Sequence, residues 1–458
     1  MELMGIFLLS LPFGLAILLG LALPVVFFYV STSLTVGLFV VGVAWMGEMI
    51  GMQQPLISIG FNVFPADIPM IVLALATGTR WCFVSTSVRP TFVWVMLFLV
   101  FSVNLSWGLI ANGSAAGVQA RPDFYALVAA GYVMSYASSD SLNRTILRSL
   151  AWFGVAVVAL CLYRWVVFYV PIPSLLPPEG VYNVDGEIRV IPSYSALVLG
   201  QLSVLGIFVA RYKKSVPGVI YLVPFSLLCT LLLQHRSVWL ATIVAFAVAL
   251  MLARTQKSPF WQQLMLATLA VCATLAPMMM NSGISSQLSS SAQKAISGQG
   301  TVTERFNNWR VTIDLWKSSG PAALVIGRAR GSDMRRIVFD SKGNRREIEY
   351  NSHNHYVNQL TNFGLAGFSL FAIVVIRAAL GLFALIRRKS ENADLAALMM
   401  VLLVSQLVYY IAYGGDVLQY MLLGWIYVWV RARFEIGKKE APMSSVRRPV
   451  VDVLGRAS

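Results

Sequence analysis

Charge is what this sequence has least of. Of 458 residues only 12% are Asp, Glu, Lys or Arg, while 57% are hydrophobic, a balance that excludes a soluble domain obliged to wet its surface. Cysteine is scarce too. Cys82, Cys161, Cys229 and Cys272 lie in or beside apolar runs with no CxxC pair or metal-ligand spacing, so they read as small apolar packing residues. No DxD-like or carboxylate cluster stands outside the apolar runs, and neither a metal nor another cofactor is expected. The first residues, Met1 to Gly5, lack the basic stretch of a cleavable signal, so the first hydrophobic run is expected to be retained as a helix. Period-two alternation is missing as well, which excludes a transmembrane β-barrel.

What is present instead is a series of uncharged stretches near the length that crosses a hydrocarbon core, separated by short clusters of Arg, Lys, Asn, Ser and Pro. In lipid each backbone amide must be satisfied within its own segment, so these runs are expected to be helices. They fall near 66–79, 91–110, 124–137, 148–170, 192–210, 216–233, 237–253, 261–281, 357–386, 395–412 and 418–431. No charge occurs between Glu2 and Glu48, and a division near Pro24 makes two helices of that run. The fold class is all-α: a polytopic transmembrane helical bundle of about 12–13 helices with one large extracytoplasmic loop.

Arg431, Arg433, Lys438, Lys439, Arg447 and Arg448 place the tail in the cytoplasm by the positive-inside rule. Alternating back from the tail puts RRKSENAD, RTQK, RYKKS, NRTILR and the Arg80 to Arg89 segment on the same side. With 13 helices the amino end is extracytoplasmic. The expected divisions are 1–280 for amino-terminal membrane helices, 281–354 for the large loop, 355–433 for carboxy-terminal helices and 434–458 for a basic tail. The setting is a multi-pass protein of the bacterial inner membrane.

The net charge of +15 would suggest nucleic acid in a soluble protein. Here the basic residues sit in inter-helix loops, the tail and the one long loop, so the partners expected are the lipid bilayer and an anionic group at its outer surface, not nucleic acid. Inside the long loop, TERFNNWRVTIDLWKS sets Phe306, Trp309, Ile313 and Trp316 on one helical face, with Thr303 as an N-cap. Such an amphipathic helix packs on the bundle or lies in the interface, and Trp309 is also a candidate for substrate contact.

All three histidines fall at predicted extracytoplasmic edges: His235 in QHRSVWLA, and His353 and His355 in YNSHNHYVNQL. Imidazole is suited to accept a proton from a hydroxyl near neutral pH; the plain alternative is a capping or interfacial residue. Arg189 and Arg236 stand at the same edges, where a guanidinium fork suits a diphosphate or, more simply, anchors a helix at the interface. Asp67 and Asp416, at helix ends, read as structural, and Arg164 lies close enough to an outer end to snorkel.

The run His353-Asn354-His355-Tyr356, followed by Gly364-Leu365-Ala366-Gly367, resembles the closing signature of the O-antigen ligase and polymerase superfamily. So does the order of parts: an Arg before one helix, an Arg-Ser-Val-Trp-Leu re-entry, a loop with a Trp-bearing helix, then the His-Asn motif. The likeness covers residues 185–385. It implies a membrane glycosyltransferase acting on an undecaprenyl-diphosphate-linked saccharide, with a glycan or lipid A-core acceptor, inversion and no metal, and with other polysaccharide-assembly proteins as further partners. By resemblance His353 is the essential histidine, and Arg189 and Arg236 hold the diphosphate. His355, Asn354 and Tyr356 are further candidates for substrate contact. Gly327-Arg328-Ala329-Arg330-Gly331 departs from the uncharged turn of the family, so Arg328 and Arg330 either contact an acidic sugar or lipid phosphate or are solvated. The competing reading is a flippase or exporter of the lipid-linked oligosaccharide, which predicts charges deep in several helices and a symmetric pair of broken ones.

Overall fold

The computed structural model of the chain describes residues 23–50, 55–58, 62–84, 89–170, 172–176, 182–184, 187–209, 219–253, 286, 289–290, 293, 301–339, 345–348, 352–388 and 393–440. The helix expected over 261–281, the amino-terminal residues before Leu23, the RYKKS and RTQK loops and the tail after Glu440 lie outside the described residues. The described helices in chain order are α1 (Leu23–Thr32) and α2 (Leu34–Met49), α3 (Asp67–Phe83), α4 (Phe92–Asn112), α5 (Ser114–Met134) and α6 (Asp140–Tyr169). They continue with α7 (Ser193–Val209), α8 (Val219–Leu232), α9 (Arg236–Ala253), α10 (Thr301–Ser318) and α11 (Pro321–Ile326). The last three are α12 (His355–Arg387), α13 (Ala393–Tyr409) and α14 (Val417–Glu440). Three antiparallel hairpins decorate the helix ends: β1 (Ile57–Ser58) with β2 (Asn62–Val63), β3 (Tyr182–Val184) with β4 (Glu187–Arg189), and β5 (Arg336–Phe339) with β6 (Arg345–Ile348).

The all-α polytopic class holds. Helices α4, α6 and α12 are each long and apolar enough to cross a bilayer, and the α1–α2 pair adds a span if its two bent halves count as one. Shorter apolar helices (α7, α8, α9 and α13) complete the bundle, whose buried centre includes Trp45, Trp94, Trp425 and Trp429. Close approach is set by small residues: a Cβ added to Gly424 of α14 would stand 2.6 Å from the Ala130 carbonyl oxygen of α5, so the two backbones touch there.

Several boundaries differ from expectation for identifiable reasons. Within the described part of the amino-terminal run the break comes at Ser33, with a bend of 117°. Its freed carbonyls are caught from outside: Tyr132 Oη donates to Val30 O at 2.7 Å and Arg80 Nη1 to Ser31 O at 2.7 Å. Arg80 is therefore a buried clasp rather than part of a loop. Helix α5 starts ten residues before the expected 124 because its charges are matched, Arg121 by Asp67 at 2.8 Å and Asp123 by Arg330 at 2.7 Å. NRTILR is not a loop: Ser139 caps α6 by accepting from Leu142 N at 3.1 Å, and the arginines ride its first turns. Arg164 does not snorkel. It is 5% exposed, and its guanidinium donates to Val190 O at 2.7 Å and to Met49 O.

Candidate functional site

One end of the bundle holds a cavity of about 710 Å³, within the range of pockets that take up small ligands. Its wall draws on places far apart in the chain, among them Arg189 at the end of β4, Pro192, Ser193 and Tyr194 opening α7, and His235 in the α8–α9 turn. Glu304, Arg305 and Asn308 of α10 and His353 before α12 face them, and the α13–α14 connection from Tyr409 to Val417 closes the ring. Three segments expected at extracytoplasmic edges thus meet at one end. Arg431 Nη1, by contrast, donates to Arg89 O at 2.8 Å at the other end, where the expected cytoplasmic loops lie.

His353 has a left-handed backbone, φ 52°, a conformation that few side chains other than Gly, Asn, Asp and His adopt and that concentrates at functional sites. The turn is enforced by its neighbours. Ser352 Oγ donates to Asn358 Oδ1 at 2.7 Å, Asn354 Oδ1 caps α12 by accepting from Val357 N at 3.0 Å, and Asn354 Nδ2 donates to Ile411 O at 2.9 Å. Asn354 is thereby committed to capping. The His353 ring remains solvent-accessible on the cavity wall, edge-on to Tyr413 at 6.1 Å. The protein around the ring still desolvates it: burial first, then the charges of Arg305 and Arg336, lower its pKa to about 4. At neutral pH it is an uncharged base.

His235 carries a second cavity-facing imidazole. It is 4% exposed, its Nε2 donates to Ile191 O at 3.0 Å, and burial together with Arg189 lowers its pKa to about 4. With Nε2 protonated, Nδ1 keeps a lone pair. The preceding Gln234 is also left-handed, φ 54°.

The cations divide into two sets. Arg305 lies over the Tyr413 ring at 5.0 Å with Arg189 on the same cavity wall, and Arg336 backs them, its Nε donating to Asn308 Oδ1 at 2.6 Å. Arg236 opens α9 directly after His235, half-buried, and is not among the residues that line the cavity. Arg328 and Arg330 also stand elsewhere. Arg330 is neither solvated nor at the cavity: it is 1% exposed, with Nη1 paired to Asp123 Oδ2 at 2.7 Å, Nε donating to Asn104 Oδ1 at 3.0 Å and the guanidinium over Phe363 at 4.7 Å. Arg328 Nη2 donates to Asp333 O at 2.9 Å. Both arginines hold the 327–336 loop through these contacts.

The remaining candidates make contacts within the fold. His355 is buried, Nδ1 accepting from Gly415 N at 2.9 Å, with Nε2 3.2 Å from Tyr420 Oη and the ring 4.2 Å from Tyr410, so it braces the Gly414-Gly415 turn at the cavity floor. Tyr356 Oη donates to Leu407 O at 2.8 Å, and Trp309 Nε1 to Ser352 O at 2.8 Å. Asp416 caps α14 through Gln419 N at 2.8 Å and accepts from Trp45 Nε1 at 3.2 Å, and Asp67 accepts from Phe64 N at 2.8 Å, which agrees with their structural reading.

Two features of the loop were expected differently. Helix α10 begins at Thr301, so Thr303 lies inside its first turn rather than at the cap, and Phe306 is 59% exposed while Trp316 is buried. The glycine segment after the His-Asn motif is a single kink at Gly364 (φ 65°) within α12, not a turn. It is met by Gly327: a Cβ at Gly364 would stand 2.3 Å from Val325 O, and one at Gly327 2.2 Å from Asn362 O. Glycines on both sides let the loop backbone ride on the kinked helix, and Arg328 N donates to Thr361 O at 2.8 Å across the joint.

Residues 221–372 match the family described as O-Antigen ligase. Over these residues the chain is similar to the O-antigen ligase family. The matched O-antigen ligase stretch runs from α8 into α12 and so contains His235, Arg236, α10, the Gly327–Gly364 joint and His353. Arg189 and the α13–α14 connection complete the cavity from outside it. No curated protein matches the chain. The apolar stripe of α10 does not point to Arg305 and Asn308, which line the cavity from another face of the helix. Arg305, Asn308 and Thr312 form a second stripe at helical spacing, with Asn308 and Thr312 buried.

Proposed function

We propose that this chain is a glycosyltransferase of the O-antigen ligase superfamily that moves a saccharide from undecaprenyl diphosphate to a sugar hydroxyl, building or attaching a surface polysaccharide at the periplasmic face of the inner membrane. The observation that carries this reading is the convergence of His353, Arg189 and Arg305 on one cavity. Arg189 and Arg305 hold the diphosphate oxygens, and Arg236, one residue from His235, adds positive charge at the same rim. His353 takes the proton of the acceptor hydroxyl as its oxygen bonds to the anomeric carbon. The bond from that carbon to the phosphate oxygen breaks, the diphosphate leaves with the electron pair, and the anomeric centre inverts. The guanidiniums stabilise the charge that develops on a leaving group already good.

The low pKa of His353 fits this sequence of events. Burial, Arg305 and Arg336 keep the imidazole neutral. A bound diphosphate offsets those cations, which raises the basicity of His353 when the acceptor is in place.

The test is product analysis of purified protein given a lipid-diphosphate oligosaccharide, with and without lipid A-core acceptor. A ladder of longer lipid-linked glycans identifies a polymerase, and transfer onto the core identifies a ligase. A protein that makes no glycosidic bond yet moves the donor between leaflets overturns the proposal in favour of a flippase.

A further inference from the structure

A second groove, of about 330 Å³, opens between α12 and α14 at the end of the bundle away from the cavity. Its polar lining is Arg377, Arg431 and Tyr427, and its walls include Leu380, Val430 and Phe434. The helices close at its base, where a Cβ on Gly381 would stand 2.2 Å from Val430 Cγ1. Two observations fix its level and its direction. Arg431 donates to Arg89 O, so the groove lies beside the connection between α3 and α4, at the membrane surface. Arg377 belongs to the outward stripe of α12 with Ile373, Ile376, Leu380 and Phe383, which are 39%, 55%, 64% and 51% exposed.

That stripe is the one lipid chains meet in a helix of spanning length. A guanidinium there is costly unless an anion shares the site, and Arg377 makes no ion pair or hydrogen bond among the described residues. We infer that the groove binds the headgroup phosphate of an anionic glycerophospholipid of the leaflet opposite the cavity. Its phosphate lies between Arg377 and Arg431, and its acyl chains run along Ile373 and Ile376. The charge complementarity is the argument: two cations and a phenol at headgroup level, with an apolar wall leading from them into the bilayer.

The inference is independent of the transfer reaction, because no cavity residue takes part in it. The experiment measures retention of phosphatidylglycerol, phosphatidylcholine and soluble glycerol 1-phosphate by the full-length protein purified in mixed micelles, with native mass spectrometry as readout. Wild type should retain phosphatidylglycerol over phosphatidylcholine. Arg377→Gln and Arg431→Gln should each lower that retention about fivefold, while Arg310→Gln, on the exposed face of α10 at the other end, leaves it unchanged. Arg377→Lys should keep part of the preference, and Leu380→Trp, which fills the groove with its charges intact, should abolish it. Should Arg377→Gln not purify, these two variants decide the matter. Unchanged retention in Arg377→Gln overturns the assignment. So does glycerol 1-phosphate competing as well as the lipid, which indicates a free-phosphate site, or a change in oligomeric state with lipid retention unaltered, which indicates an interface between two copies.

Discussion

Replacing Arg330 with Met should detach the 327–336 loop from the helices it rests on. In the folded chain this guanidinium is 1% exposed and joins three helices: α4 through Asn104, α5 through Asp123, and α12 through the face of Phe363. Its backbone lies so close to α4 that a Cβ on Gly108 would stand 2.6 Å from Arg330 N, and its carbonyl accepts from Asn112 Nδ2 at 2.7 Å. Removing one partner of such a pair leaves the Asp123 carboxylate without its cation and costs about 3–5 kcal/mol. Because the Asp123 side chain is 20% exposed, water relieves part of that, and we expect the lower end, about 3 kcal/mol. Arg330→Met/Asp123→Asn, which discards both charges, should recover most of the loss. The assay is equilibrium unfolding in micelles followed by tryptophan fluorescence, with Trp309 and Trp316 adjoining the loop. A change in Arg330→Met below about 0.5 kcal/mol, the range of an ordinary surface substitution, would refute the docking role, and so would a double variant no more stable than the single one.

Other predictions concern the kink, the histidines and the cations. Gly364→Ala places a Cβ at φ 65° against the Val325 carbonyl, so thermal unfolding should show a loss of at least about 1–3 kcal/mol. His353 and His235, each lowered to about 4, are neutral when folded at pH values where the unfolded chain binds protons. Their contribution to stability should be complete above about pH 6.5 and be lost as pH falls toward 4, as measured by unfolding midpoints across that window. For the same reason transfer by the free enzyme should persist at pH 5.5, and a kcat/KM profile falling through pH 6.5 as for an ordinary histidine would contradict the desolvated base. Arg189→Lys, on the cavity wall, should lower kcat/KM for the lipid-linked donor more than Arg236→Lys does, since only the first replaces a lining fork by a point charge.

The bundle was legible because lipid leaves the backbone one solution: an uncharged run near the spanning length must be helical, and the runs read from 66 to 253 and from 357 onward are so. What misled the boundaries was pairing at a distance. Arg121 and Asp123 look like loop residues until Asp67 and Arg330 are known to stand opposite them, and no spacing along the chain reveals that. The site was legible in part. His353 and Arg189 share a cavity as their common edge suggests, whereas the contacts of His355 and Asn354 with Gly415 and Ile411 are invisible in the sequence. Arg330 misled for the same reason, its acid partner lying 207 residues away in sequence. The family signature points to a motif as a unit, whereas the fold divides that motif into one outward-facing ring and three inward-facing braces.

The central claim is that the neutral imidazole of His353 deprotonates the acceptor beside a diphosphate held by Arg189 and Arg305. Single-turnover transfer by purified protein from a lipid-diphosphate oligosaccharide, comparing wild type with His353→Ala at equal donor occupancy, tests it most directly. The account predicts that His353→Ala still binds donor but transfers at least about a hundredfold more slowly, the usual share of a general base. Transfer at the wild-type rate by a folded His353→Ala would contradict it.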